Sequence, residues 1–125
     1  MKKTNHSIRL LAATGVLALA AVGAHAQDAA AGKAVFAQCT ACHSVDGSNG
    51  AGPTLKGIVG SKSGEVAGFR FSRAMKNAGI TWDEKTLDAY IANPQTAIPG
   101  NVMPFSGLPD AKQRADLVAY LATLK

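Results

Sequence analysis

Cys39, Cys42 and His43 are the residues of this 125-residue chain whose types and spacing carry chemistry. They are its only two cysteines and one of its three histidines, gathered into the run Cys39-Thr40-Ala41-Cys42-His43. Positions i, i+3 and i+4 share one face of a helical turn, so two thiols and an imidazole point at one object. C-x-x-C-H is the attachment signature of a c-type haem: the cysteines add across two porphyrin vinyl groups and the adjacent histidine ligates iron. A zinc site needs about four N/S ligands, and no second Cys/His pair follows. A thioredoxin-like redox pair needs a strand before the motif in a βαβ setting, which this chain lacks. A disulfide between residues three apart closes too small a loop to stabilise much.

The sixth iron ligand decides between electron carriage and gas or peroxide chemistry. Once a leader carrying His6 and His25 is set aside, the candidates are Met75, Met103 or an open position. Methionine ordinarily fills gaps in cores. Met103 has more in its favour: it lies 60 residues after His43 in a Pro-flanked, non-helical segment, whereas Met75 sits in a predicted short helix.

The leader is read from charge and hydropathy. Lys2, Lys3 and Arg9 precede an uncharged run from Leu10 to Ala24, then Ala24-His25-Ala26. A basic start, a short apolar stretch and small residues at −3 and −1 are the parts of a secretory signal peptide, cut here after Ala26. As a helix the apolar run would rise only about 22 Å against a hydrocarbon core of roughly 30 Å, so a membrane anchor is disfavoured. The expected organisation is therefore a cleaved signal peptide over 1–26 and one domain over 27–125, exported to the periplasm, with no membrane insertion after cleavage. The formal charge of +5 would suggest an anionic partner, but removal of the leader leaves ten basic and eight acidic residues, or +2. Nucleic acid is not an expected partner.

The elements that must position the motif are helices. Gly32, Val35, Phe36 and Cys39 fall on one face of a helix predicted over 29–40, with Asp28 as N-cap. From Ser44 to Gly68, seven of 25 residues are glycine, which reads as a loop long enough to wrap a non-protein object. A short helix is predicted around Ser72 to Asn77. Thr81-Trp82-Asp83-Glu84 has the form of a capping box, predicting a helix from Trp82 to about Ala92 that Asn93-Pro94 ends. Ile98 to Pro104 is extended or turning, and a last helix opens at Pro109-Asp110 with Leu117, Val118, Leu121 and Leu124 as its apolar stripe. No hairpin signal is present.

The chain from Gly32 to Leu124 resembles the class I c-type cytochromes, mitochondrial and bacterial periplasmic. The matching motifs are Gly32-Lys33-Ala34-Val35-Phe36, the haem motif, Gly52-Pro53-Thr54-Leu55-Lys56-Gly57, Gly79-Ile80-Thr81-Trp82, Asn93-Pro94, Ile98-Pro99-Gly100-Asn101-Val102-Met103 and Ala115-Asp116-Leu117-Val118-Ala119-Tyr120-Leu121. The resemblance implies an all-α fold of three main helices, a short one and long loops around one covalently attached haem. It implies His43 and Met103 as axial ligands and Cys39 and Cys42 as thioether anchors. Pro53 is then expected to accept a hydrogen bond from His43, Tyr90 to bond near the Met103 sulfur, and Trp82 to reach a haem propionate. Gly32 should let the first helix cross the last, with Phe36, Leu117 and Tyr120 packed there. Where the family usually has an arginine, a tyrosine and an asparagine, this chain has Ser61, Phe71 and Met75, so a less tightly held propionate region is expected. Gln38, Gln95 and Val102 stand where lysines are common.

The function implied is that of a monomeric, diffusible one-electron carrier, not an enzyme. It would pass electrons in transient complexes from a quinol-oxidising cytochrome complex or dehydrogenase to a terminal oxidase, reductase or photosynthetic reaction centre. The exposed haem edge is expected near Cys39 and Phe105. A haem subunit of a periplasmic oxidising enzyme is the alternative; a ligand-binding sensor with an open distal site is disfavoured by a haem motif near the start of the domain.

Overall fold

The computed structural model describes residues 27–125, so the signal peptide expected over 1–26 lies outside the described residues. Five helices follow in order: α1 Ala29–Phe36, α2 Arg73–Asn77, α3 Glu84–Ala92, α4 Pro94–Ala97 and α5 Ala111–Leu121. Among the described residues there is no strand, only an isolated bridge between Lys62 and Thr81. No described helix is long and apolar enough to cross a membrane.

Helix α1 begins where expected because the Asp28 carboxylate accepts the free N–H groups of Ala30 and Ala31. It is shorter than predicted, passing after Phe36 into a series of turns that carries the cysteines. Helix α3 starts two residues later than predicted, and the Thr81/Glu84 capping box is replaced by one made of Asp83 and Thr86. The Asp83 carboxylate accepts the Thr86 N–H at 2.8 Å, and the Thr86 hydroxyl takes the Asp83 N–H at 2.9 Å. Thr81 contributes only its carbonyl, to the same Thr86 hydroxyl. Helix α4 was not expected. Asn93 ends α3 in extended geometry and caps α4 through its side chain, and Pro94 at the first position has no N–H to leave unsatisfied.

The principal helix contact is α1 on α5. Gly32 permits it: a Cβ there would collide with the Asp116 carbonyl oxygen and stand 2.9 Å from Tyr120 Cβ. Phe36 and Tyr120 close the crossing with ring centroids 5.4 Å apart, and Leu117 is buried in the same core. Asp116, 4% exposed, ties the two ends by accepting the Asp28 N–H at 2.9 Å and the Lys112 ammonium at 2.7 and 2.8 Å. The segment 44–68 is irregular, as its glycines foretold, and is held by local bonds such as Asn49 Oδ1 accepting the Thr54 N–H at 3.0 Å.

Candidate functional site

The turns after α1 bring the motif together. The N–H groups of Cys42 and His43 both donate to the Cys39 carbonyl, at 3.2 and 2.9 Å, the i+3 and i+4 bonds of a helical turn. No disulfide joins the two cysteines, and both are half-buried. Burial, and secondarily the adjacent Cys42, raises the Cys39 pKa and keeps that sulfur protonated.

The His43 ring is oriented by one bond: Nδ1 stands 2.7 Å from the Pro53 carbonyl oxygen. A carbonyl can only accept, so Nδ1 carries a proton and donates it, which leaves Nε2 as the nitrogen that could bind a metal. Gly52 is part of the same seat, since a Cβ there would lie 2.6 Å from His43 Cε1.

These groups line an apolar cavity of about 310 Å³ that also takes in Met103, Pro53, Trp82 and Tyr90, so all seven expected site residues meet at one place. The volume is in the range of cofactor pockets rather than of a packing defect. Met75 lines it too, so position alone does not separate the two methionines. Hydrogen bonding does: the Tyr90 hydroxyl stands 3.4 Å from Met103 Sδ, and the Met103 N–H donates to Asn101 Oδ1 at 3.0 Å. Met75 is engaged through its backbone, as part of the Ser72 cap of α2. Burial pushes the Tyr90 phenol up to about 12, so it remains a donor. Trp82 packs on Tyr90 with ring centroids 5.2 Å apart. Ser61 donates its hydroxyl to the Ile58 carbonyl at 2.6 Å, and Phe71 and Met75 offer the cavity no hydrogen-bond donor from their side chains.

Two thiols, an imidazole with a free nitrogen, a thioether and an apolar cavity between them fit a covalently held haem c. Asn101, just 6% exposed, was not singled out by sequence beyond its place in a motif, yet it bonds to Pro94, Ile98, Met103 and Tyr90. No periodicity marks such a residue, because its partners are mostly backbone atoms of an irregular loop.

A family model described as cytochrome c matches residues 29–125. Similar curated proteins include a cytochrome c2 of Rhodomicrobium vannielii, 49% identical over 78% of this chain and 80% of that protein. A cytochrome c of Tetrahymena pyriformis is 47% identical over 78% of this chain and 89% of its own. A cytochrome c2 of Blastochloris viridis is 46% identical over 85% of each. Among solved structures, cytochrome cH from Methylobacterium extorquens superposes with a TM-score of 0.75 at 49% identity, over 77% of this chain and 98% of that one.

Proposed function

Because the chain belongs to the cytochrome c family, we propose that it shuttles single electrons in the periplasm, with His43 and Met103 as the residues that would ligate the haem iron. It is an electron carrier rather than an enzyme, and it binds haem c covalently through Cys39 and Cys42. When bound, the haem supplies a ferric/ferrous couple and so one electron per cycle.

The chain's own residues tune that couple. Pro53 holds the His43 ring and raises its basicity through Nδ1–H. Met103 offers a softer donor than a second histidine, which raises the potential, and Tyr90 draws density from its sulfur. With both residues bound, His43 and Met103 would leave the iron no position for a substrate, which favours outer-sphere electron transfer over catalysis. In this reading Trp82, which lines the cavity, would donate its indole N–H to a propionate, and the electron would pass by the edge near Cys39 and Phe105. Export rests on the leader from Lys2 to Ala26. The donors in this reading are a quinol-oxidising complex or a dehydrogenase, and the acceptors a terminal oxidase, reductase or reaction centre.

The observation that carries the ligand reading is that, of the two methionines lining the cavity with Cys39, Cys42 and His43, it is Met103 whose sulfur meets the Tyr90 hydroxyl, at 3.4 Å. The ferric holoprotein should show the methionine–iron charge-transfer band, and the ferrous form should bind carbon monoxide slowly. Met103→Ala should abolish the band and open the iron to carbon monoxide. Rapid binding by the wild type, or a band that survives the substitution, sinks the assignment.

A further inference from the structure

We propose that Asn101 and Gln95 form a two-amide latch that positions Met103, and thereby sets how often the thioether leaves the iron. The inference rests on Met103 being the ligand.

Met103 lies in an irregular segment, where no helix or sheet ladder holds the backbone. Asn101 supplies the missing order. Its buried Nδ2 donates to the Pro94 and Ile98 carbonyls, both at 2.8 Å, anchoring the segment to α4 and the residue after it. Its Oδ1 accepts the Met103 N–H at 3.0 Å and lies 3.4 Å from the Tyr90 hydroxyl. One amide thus ties the ligand's backbone to α4 on one side and to the tyrosine beside the ligand's sulfur on the other. Gln95 closes the latch from outside: its Nε2 donates to the Asn101 carbonyl at 2.9 Å and its Oε1 accepts the Gly100 N–H at 3.3 Å. The two side chains span Pro94 to Met103, and the buried amide has donors and acceptor all engaged, so its loss leaves the Met103 N–H unpaired and the Pro94 and Ile98 carbonyls with only their backbone donors, the N–H groups of Ile98 and Asn101. Val102, between Asn101 and the ligand, is 74% exposed and offers no anchorage of its own.

Asn101 also shares a proton donor with the ligand, the Tyr90 hydroxyl. Tyr90 has one proton and two acceptors at equal distance, Met103 Sδ and Asn101 Oδ1. Asn101 therefore holds the methionine in place and competes with its sulfur for the same hydrogen bond.

The test uses the purified holoprotein and measures the rate of carbon monoxide binding to the ferrous form, together with the ferric methionine–iron band. Asn101→Leu, close in volume and without polar atoms, should raise the rate roughly tenfold and weaken the band. Gln95→Ala, at an exposed position that threatens no core, should raise it by about threefold. The double variant should fall short of the product of the two, because the bonds act as one unit. Thr86→Ala, which breaks the α3 cap and removes no bond to Asn101, Gln95 or Met103, is the structural control and should lower the denaturant midpoint while leaving the rate alone. Rates unchanged in both latch variants, or increases that merely follow lost stability as in Thr86→Ala, would overturn the latch while leaving the ligand reading intact. Should Met103→Ala leave band and rate unaltered, the ligand reading fails and the latch with it.

Discussion

Tyr90 shows how much of the cavity's chemistry rests on single protons. Burial holds its phenol near a pKa of about 12, so at neutral pH the O–H is present and directed at the Met103 sulfur and the Asn101 oxygen. A hydrogen bond to sulfur withdraws density that would otherwise stabilise ferric iron. Tyr90→Phe removes that withdrawal while keeping the ring packed on Trp82. The reduction potential should fall by about 40 mV, the equivalent of one hydrogen bond of about 1 kcal/mol for a one-electron couple. Potentiometric titration of the two proteins decides it; an equal or higher potential in the variant contradicts the role. Of the residues around this cavity, the cysteines and His43 were legible because their spacing is itself the chemistry. Met103 was favoured over Met75 by its Pro-flanked, non-helical setting, and the family resemblance supplied its role. Asn101 and Gln95 were not, because their function lies in amide bonds to backbone atoms whose positions only the folded loop defines.

Among the elements, the crossing of α1 on α5 sets the frame that carries the haem motif. Gly32→Ala places a methyl against the Asp116 backbone, where no side-chain rotamer can make room. The cost should be about 3 kcal/mol, the upper end for over-packing, read as a lower denaturant midpoint of the holoprotein. A loss under about 1 kcal/mol would show that the helices separate easily. The same crossing responds to acid. The Lys112 ammonium, then the Asp28 N–H, hold the Asp116 carboxyl below its ordinary range against the opposing effect of burial. A depressed folded pKa means that this stabilisation is complete above the unfolded value of about 4 and disappears as pH falls through the lower folded one. Asp116→Asn should therefore lower the unfolding midpoint at pH 7, with the gap from wild type closing in strong acid; a gap independent of pH refutes the linkage. Local signals explain what was legible at this scale. Asp28, Ser72 and Asp110 sit directly before their helices and cap them as cap-forming residues do. The segment from Thr81 to Thr86 holds two overlapping caps, and Asp83 with Thr86 prevailed once Trp82 was buried in extended chain. Asn93-Pro94 was read as a stop, and it is one, but the same pair also starts α4.

For the molecule as a whole, charge bears on how partners are met. The exposed residues that line the cavity are Gln38, Ala51, Lys62, Val102 and Pro104, with Phe105 half-buried, and of these Lys62 alone is charged. Lys62 is the one lining residue with a formal charge other than the histidine's potential one. Several of the remaining basic residues, Arg70, Arg73 and Lys76 among them, stand in and before α2, and residues 27–125 carry ten basic and eight acidic side chains, a net charge of only +2. Salt acts on association by screening charge over a Debye length, about 30 Å at 0.01 M and 8 Å at 0.15 M. An edge met through Val102 and Phe105 presents little for that screening to remove, and contact there gains chiefly from burying apolar surface, which modest salt leaves unchanged. The bimolecular rate with an isolated oxidase or reductase should therefore change by no more than about twofold between those ionic strengths. Val102→Lys should add both speed at low salt and a steep salt dependence toward an acidic partner, because it places a fixed charge at the mouth. A wild-type rate that falls about tenfold or more over the same range would mean that the basic residues of α2, rather than the uncharged edge, make the encounter.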